Sequence, residues 1–158
     1  MLPVLIQAES PDHPDARLLL AELSARLVLL TGDSGQSSFC ASDVQQDGAC
    51  FVVARNPQGV PLACAAIRPG GSQVAELKRM YARPGQPGVA AQVLGWLEQQ
   101  ALQWGYRQIC LAVRHSNPRA IAFYRKHGYA AIAAFGKYTE NNLSLCMGKS
   151  LLPDNGVA

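Results

Sequence analysis

A strand–turn–helix–strand segment in the middle of the chain constrains the fold most. Residues 73–82 form a β-type run, a Gly/Pro-rich turn follows, and residues 89–104 carry apolar residues at helical spacing. Gly105 then ends the helix, and residues 107–113 form a second apolar run. Two strands joined through a helix in this way pair in parallel by a right-handed crossover. The segment therefore predicts a parallel strand pair within an α/β sheet.

Antiparallel strands are predicted on both sides of this unit. Residues 49–55 and 60–68 are β-type runs around the turn sequence Asn-Pro-Gln-Gly, which predicts a hairpin. Residues 3–8, 129–134 and 143–149 are further short runs typical of strands. The predicted fold class is therefore α/β, with a mixed, mostly antiparallel central sheet flanked by helices.

Two more helices are predicted outside the parallel unit. Residues 14–31 carry an apolar stripe at spacings of three and four, which we expect to face the core. The stripe consists of Ala16, Leu20, Leu23, Leu27 and Leu30. On the opposite side, Glu22 and Arg26 have the spacing of a helical ion pair. A helix over residues 118–126 has Asn117 as its N-cap and a proline at its first position.

Length and composition indicate one globular domain. The 158 residues are 49% hydrophobic and 16% charged, a balance that excludes a disordered chain. We predict a single domain over residues 1–152 and a loose C-terminal tail over residues 153–158. The polar segment 32–48 is the longest predicted loop and is typical of a lid or a substrate loop. No apolar run approaches the roughly 18 residues that span a bilayer, so no membrane partner is expected.

Charge and cysteine content limit the partners further. A net charge of +3 is too small to indicate nucleic-acid binding without a clustered basic patch, and an anionic small ligand fits it equally well. Five cysteines without Cys-x-x-Cys spacing predict neither a disulfide framework nor a zinc site. The N-terminal residues do not have the pattern of a secretory signal. We therefore predict a reduced, cytoplasmic protein without a metal.

The turn between the two parallel strands has the chemistry of an anion site. Gly85 and Gly88 let backbone amides approach a ligand, and the helix that follows adds partial positive charge at its N-terminus. Together these features suit a phosphate. Neither the Gly-Lys-Ser/Thr of a Walker loop nor the Gly-x-Gly-x-x-Gly of a dinucleotide fold is present. Taken alone, the turn is equally typical of an ordinary strand–helix connection.

A second motif lies downstream of the turn, at residues 117–129. Five of its residues match the pattern N-x-x-A-x-x-x-Y-x-x-x-G-F/Y position by position: Asn117, Ala120, Tyr124, Gly128 and Tyr129. The turn ends in Gly88-Val89-Ala90, which matches the end of a pyrophosphate turn. Together the two segments resemble the GNAT superfamily of N-acetyltransferases, which use acetyl-CoA. The resemblance covers residues 49–149.

The resemblance implies where acetyl-CoA binds. In this family the two parallel strands splay apart, and the pantetheine arm fills the gap like an added strand. The residues expected to contact the cofactor are Met80, Tyr81, Ala82, Gly85, Gln86, Gly88, Val89, Ala90, Asn117 and Tyr124. A backbone amide of residues 80–82 would polarise the thioester carbonyl. The acceptor amine would then attack the thioester directly, without an acyl-enzyme.

The turn departs from the family pattern R/Q-x-x-G-x-G/A. It is shorter than usual, and Gly85 stands where the family has Arg or Gln. Gln86-Pro87 replaces another glycine, and proline has no amide hydrogen. We therefore expect fewer amides at the pyrophosphate.

The reaction implied by this resemblance includes two proton transfers, one from the amine and one to the leaving thiolate, and each needs a residue. Glu76 is the predicted base for the amine, directly or through water. On a regular strand Glu76, Lys78 and Met80 share one face, so the alternative is an ion pair with Lys78 that lowers the pKa of Glu76 and opposes a base role. Tyr124 is the predicted acid for the leaving thiolate; the alternative is a core aromatic. Asn117 either contacts the cofactor or only caps its helix.

The acceptor is the least constrained part of the site. The loops expected to hold it carry few acidic residues, which disfavours a polyamine or a very basic peptide. The predicted acceptor is the primary amine of a small molecule or of a peptide N-terminus. The alternative function is a catalytically weak CoA-binding or interaction module, favoured by the altered turn and by the adjacency of Glu76 and Lys78. A homodimer is compatible with the sequence, which marks no interface.

Overall fold

A seven-stranded mixed sheet forms the centre of the protein, whose computed structural model describes residues 3–152. The strands are β1 (Leu5–Ala8), β2 (Cys50–Arg55), β3 (Pro61–Gly71), β4 (Val74–Ala82), β5 (Gln108–Arg114), β6 (Ala130–Ala131) and β7 (Ser144–Ser150). Their order across the sheet is β1-β2-β3-β4-β5-β7-β6. Only β4 and β5 are parallel neighbours. The predicted mixed, mostly antiparallel sheet is confirmed, and the predicted tail at 153–158 lies outside the described residues.

Three α-helices cover the two faces of this sheet. They are α1 (Pro14–Thr31), α2 (Val89–Gln103) and α3 (Pro118–Lys126). Short 3-10 helices occupy Gln36–Ser38, Ala41–Val44 and Gly136–Glu140. Helix α1 packs on one face, whereas α2 and α3 pack on the other. The sheet is therefore the middle of three layers.

Alternation along the central strands divides the core between these layers. On β2, Phe51 and Val53 point to the α1 side, while Val52 and Ala54 point to the α2 side. All four side chains are essentially inaccessible to solvent. Successive side chains of a strand point to opposite faces, so a strand covered on both faces is apolar throughout. This burial explains why the central runs of the sequence lack polar alternation.

The buried face of α1 follows the predicted stripe except at its C-terminal end. Ala16, Leu19 and Leu23 are buried, and Leu20 and Leu27 pack against the same cluster, whereas Leu30 is 41% exposed. The last turns of the helix border a cleft, which Leu27 and Leu30 both line. Helical spacing identified the helix and most of its buried face, but it could not show that Leu30, near the C-terminal end of the helix, is largely outside the core.

Two further sequence predictions are wrong in detail. Glu22 does not pair with Arg26: its carboxylate accepts two hydrogen bonds from Arg83, at 2.8 and 2.9 Å, because β4 passes alongside α1. The predicted strand 129–134 shortens to β6. After it, the Ile132 amide donates to the Cys146 carbonyl and the chain leaves the sheet edge for the 3-10 helix Gly136–Glu140.

No helix within residues 3–152 is long and apolar enough to cross a bilayer. No group of three or more His, Cys, Asp or Glu side chains in that range could hold a metal ion. The five cysteines are free thiols, four of them buried. Buried thiols of this kind pack as small apolar groups.

Candidate active site

A cleft opens where β4 and β5 separate. The two strands pair only from Val74 to Glu76 on β4 and from Gln108 to Cys110 on β5. Beyond this ladder both strands continue, and a cleft of about 960 Å³ lies between them. Its volume is near the upper end for a small-molecule site. The predicted splayed parallel pair is therefore present, with its apex at Glu76.

The turn before α2 forms the open end of the cleft. Gly85 and Gly88 both have φ of +80°, a conformation that favours glycine, and Gly88 is the N-cap of α2. Five amides here make no hydrogen bond to a backbone carbonyl within residues 3–152: those of Gly85, Gln86, Gly88, Ala90 and Ala91. Free amides and the positive end of a helix dipole together create an anion site.

Nine of the ten residues predicted to contact the cofactor line this cleft. They are Met80, Tyr81, Ala82, Gly85, Gln86, Gly88, Ala90, Asn117 and Tyr124. Val89 is the exception, because its side chain is only 4% exposed and packs in the core. Its amide already donates to the Gln86 carbonyl at 3.3 Å. Val89 therefore anchors the turn and offers no free amide to a ligand.

Basic side chains surround the cleft. Arg83 and Arg114 line it but are occupied, Arg83 by Glu22 and Arg114 by Asp33 at 2.8 Å. Cleft-lining cations that have no ion pair in the described part of the chain include Arg26, Arg119, Lys126 and Lys137. This excess of positive charge suits a polyanionic ligand.

A β-bulge on β4 shapes one wall of the cleft. Opposite Cys64 and Ala66 of β3 lie Tyr81 and Lys78, so β4 contains one extra residue between these two positions. Arg79, in that interval, has φ of +56°, and its guanidinium donates to the Ser34 carbonyl and the Ser24 hydroxyl. A bulge re-aims the side chains that follow it.

The bulge corrects the predicted face of Met80. A regular strand would place Met80 beside Glu76 and Lys78, but the extra residue moves Met80 to the opposite face. There it packs with the α2 side of the core, as Leu77 does. Of these three residues, only Glu76 and Lys78 therefore face the side of the sheet away from α2.

Glu76 lies in a buried charge cluster at the apex of the cleft. Its side chain is 9% exposed, and its Oε1 accepts from Arg68 Nε at 3.1 Å and lies 3.0 Å from Arg68 Nη2. Arg68 Nη1 also donates to Asp43 Oδ2 at 2.6 Å. Glu76 is not among the described residues that line the cleft. These contacts favour the ion-pair alternative for Glu76, with Arg68 as its main partner.

Sequence reasoning missed Arg68, although a signal for it existed. Arg68 is directly opposite Glu76 in the β3–β4 ladder. Directly opposed residues of opposite charge are a common cross-strand pair. The pair can be identified only from the register of β3 against β4. The ladder is irregular on both sides of the pair, so the sequence alone does not give that register.

Lys78 faces the cleft beside this cluster. Its side chain is 8% exposed, its Nζ donates to the Tyr138 hydroxyl at 3.0 Å, and Glu76 Oε2 lies 3.8 Å away. Burial lowers the pKa of Lys78 to about 8, although the negative charge of Glu76 opposes the shift. Burial likewise raises the pKa of Tyr138 to about 12, so its phenol is protonated at neutral pH. At neutral pH a fraction of the Lys78 amine is therefore uncharged, and the Tyr138 hydroxyl that accepts its hydrogen bond is neutral.

Tyr124 lines the cleft from α3 while its ring is buried. The ring makes edge contacts with Phe123 and Tyr129, at centroid distances of 5.3 and 5.7 Å. Burial raises the pKa of Tyr124 above its usual value. No residue in the described range 3–152 is hydrogen-bonded to its hydroxyl, and no buried side-chain polar atom there is left without a partner. The hydroxyl is therefore accessible from the cleft and stays protonated.

Asn117 caps α3 at the mouth of the cleft. Its side-chain oxygen accepts a hydrogen bond from the Ala120 amide at 3.3 Å. This bond accounts for the capping role, and the residue also lines the cleft. Contact of Asn117 with a cofactor stays a prediction.

Comparison with known proteins identifies the family. The sequence profile of the Acetyltransferase (GNAT) family matches residues 16–129. An IAA acetyltransferase of Azospirillum brasilense is 31% identical over 153 residues, which cover 94% of this chain and 98% of that protein. A solved structure from Klebsiella pneumoniae, described as an acyl-CoA N-acyltransferase, is 26% identical, with a TM-score of 0.79 over 94% of this chain and 98% of that one.

A more distant structure supports the fold alone. An acetyltransferase of the GNAT family from Staphylococcus aureus is 13% identical, with a TM-score of 0.75 over 95% of this chain and all of that one. The splayed β4–β5 pair, the amide-rich turn and the profile match agree. The chain belongs to the GNAT family of acetyltransferases.

Proposed function

We propose that this protein is an acetyl-CoA-dependent N-acetyltransferase that acetylates the primary amine of a small molecule or of a peptide N-terminus by direct attack. The observation that carries the proposal is the cleft itself. It joins free amides at the α2 N-terminus to a gap between two parallel strands, with Tyr124 and Lys78 along its walls. A phosphate group, an extended thiol arm and an amine can be held in that order along it.

The residues of this chain supply the binding and the polarisation. The turn amides and the unpaired cations hold the phosphates of CoA. The exposed edges of β4 and β5 bond the pantetheine arm as an added strand does. An amide of residues 80–82, following the bulge at Arg79, donates to the thioester oxygen as negative charge develops there.

Proton handling is assigned to residues at the closed end of the cleft. Tyr124 donates to the sulfur as the C–S bond breaks, and its raised pKa keeps that proton in place. Glu76 stays the predicted base, and because its carboxylate does not line the cleft, its route to the amine runs through Lys78 or water. Its ion pair with Arg68 is the competing role.

The acceptor end of the cleft supports a small amine. It is lined by the last turns of α1, by the segment after it and by the 3-10 helix Gly136–Glu140. Its acidic residues are few, and Asp33 is already paired with Arg114. A polyamine with several ammonium groups would find little complementary charge there. We further propose that the protein works in a reducing compartment such as the cytoplasm, because its five cysteines are free thiols.

A second candidate is a CoA-binding module with little turnover. The observation that favours it is the turn sequence, in which Pro84 and Pro87 supply no amide hydrogen. Such a module would bind acetyl-CoA and CoA equally well and release no thiol with any amine.

Thiol release tests the proposed function against this alternative. Acetyl-CoA is incubated with the protein and single amines, covering amino acids, small alkyl and aryl amines, and peptides with free or blocked N-termini. We expect thiol release with at least one primary amine and a product heavier by one acetyl group. Blocking that amine should abolish release. Tight acetyl-CoA binding without release across the panel would favour the module.

A further inference from the structure

Lys78 occupies the place in the cleft where an acceptor amine is expected. The β4–β5 ladder ends at Glu76, and Lys78 is the next β4 residue on the same face. The α2 N-terminus lies at the open end, so a CoA molecule anchored there extends its thioester toward this apex. The side chain of Lys78 points away from α2 and lines the cleft.

The surroundings of Lys78 leave its amine available for chemistry. Its hydrogen-bond partner is the neutral Tyr138 hydroxyl at 3.0 Å, not a carboxylate. The nearest carboxylate, Glu76, places Oε1 on Arg68 and keeps Oε2 3.8 Å from Lys78 Nζ. Lys137 Nζ lies 5.5 Å from the centre of the ring of Tyr138, whose hydroxyl binds Lys78, so a second cation is near. A second cation and low solvent access both favour a neutral amine.

We propose that Lys78 is itself an acetyl acceptor: with acetyl-CoA in the cleft and no other amine present, its ε-amine takes the acetyl group from the thioester. The inference rests on the proposed function. The neutral nitrogen attacks the carbonyl carbon, a C–N bond forms, and the C–S bond breaks. CoA leaves as the thiolate, and the proton lost by nitrogen passes to that sulfur directly or through water. The step needs no oxidant or reductant.

The modification would change the site in two ways. An acetylated Lys78 carries no charge, so the cluster around Glu76 loses a neighbouring cation. The longer side chain also occupies the acceptor end of the cleft. We therefore expect an acetylated protein to turn over an external amine more slowly, which makes the reaction a form of self-inhibition.

The pH dependence separates Lys78 from surface lysines. At pH 7 a pKa of about 8 leaves about a tenth of the amine neutral, against roughly one part in 2,500 for an ordinary lysine. The charged and titratable groups around it are Glu76 and Arg79 on β4, Arg68 on β3, Cys110 on β5, and Lys137 and Tyr138 on the 3-10 helix. We expect its acetylation rate to rise up to about pH 8 and then level, while surface lysines keep gaining rate above pH 9.

The experiment needs no knowledge of the natural acceptor. Full-length protein is incubated with acetyl-CoA alone, and acetylated positions are located by peptide mass spectrometry over time. Lys149 is the internal comparison, because it is also near a tyrosine, Tyr129, but it lies outside the cleft and is paired with Glu98. We expect Lys78 to be modified at least tenfold faster than Lys149, and excess CoA to suppress only Lys78.

Two variants and one binding measurement decide the outcome. Lys78→Met keeps the length of the side chain and removes a desolvated charge, so it should fold and lose this modification. Lys149→Arg should leave it unchanged. Acetyl-CoA that stabilises the protein against heat without modifying Lys78 at pH 8 or 9 would overturn the inference and leave the proposed function standing. No stabilisation by acetyl-CoA would remove both.

Discussion

Tyr124→Phe is expected to lower kcat about 100-fold while the Kd for acetyl-CoA changes less than about twofold. General acids typically contribute factors of this size, and the substitution removes the proposed proton donor without removing the buried ring. The hydroxyl has no hydrogen-bond partner among residues 3–152, so the variant should keep nearly all of its free energy of unfolding. Steady-state kinetics with an acceptor from the amine panel and calorimetric titration with acetyl-CoA measure the two quantities.

Tyr129→Phe is the matched control for this prediction. Its ring contacts that of Tyr124 at 5.7 Å, but its hydroxyl donates to Glu98 at 2.9 Å on the far side from the cleft. Losing that bond should lower the free energy of unfolding by about 1 kcal/mol and leave kcat nearly unchanged. Unchanged kcat in Tyr124→Phe would remove Tyr124 as the acid and leave it a core aromatic.

Arg68→Met is expected to lower the free energy of unfolding by about 3 kcal/mol, because it leaves buried Glu76 without its main partner. Asp43 loses a 2.6 Å bond in the same substitution. Thermal and urea unfolding measure the loss. Arg114→Met breaks an exposed pair with Asp33, whose side chain is 48% exposed, and should change the free energy by less than about 1 kcal/mol.

A double-mutant cycle isolates the pair from other effects of the substitution. Arg68→Met combined with Glu76→Leu removes both charges, and the double variant should be more stable than Arg68→Met alone. Additive losses would show that Arg68 does not act through Glu76.

Glu76→Gln decides between the two roles of Glu76. In the ion-pair role, the melting temperature falls and the turnover of the remaining folded protein keeps its pH profile. In the base role, turnover falls and the acidic limb of the pH profile moves, while the melting temperature changes little. Comparison with Arg68→Met separates the roles, because that variant loses the same ion pair and keeps the carboxylate.

Local signals in the sequence were sufficient for most of the fold. Helix α1 has the bounds that were predicted, and α3 begins at the proline after its Asn117 cap. The parallel pair followed from the order strand, turn, helix, strand, which permits few connections. Nine of the ten proposed cofactor contacts line one cleft, because they belong to two contiguous segments whose relative position is fixed by this topology.

The errors concern interactions between distant segments. The bulge at Arg79 depends on how β4 fits against β3 and on acceptors from α1 and the loop after it. It moved Met80 to the other face, which no alternation rule applied to β4 alone could show. Arg68 and Tyr138, the partners of Glu76 and Lys78, come from a hairpin strand and a late loop. The first pair depends on the β3–β4 register, and the second depends on where the 3-10 helix Gly136–Glu140 packs.

Thermal unfolding with and without acetyl-CoA tests the central claim, that the split between β4 and β5 is an acetyl-CoA site. At about 100 times its Kd, a ligand adds roughly 2.7 kcal/mol, a rise of about 5–10 °C for a domain of this size. ATP and NAD at equal concentration serve as comparisons. Gly88→Ala and Gly59→Ala are run in parallel, since both glycines have φ near +80° and Gly59 lies in the β2–β3 turn.

Both alanine variants should lose about 1 kcal/mol of stability from the same backbone strain. We expect acetyl-CoA and CoA to raise the melting temperature of the wild-type protein and of Gly59→Ala. For Gly88→Ala, which alters the turn proposed to bind the pyrophosphate, the rise should be clearly smaller. Equal rises in both variants would place the cofactor elsewhere, and no rise in the wild-type protein would contradict the account.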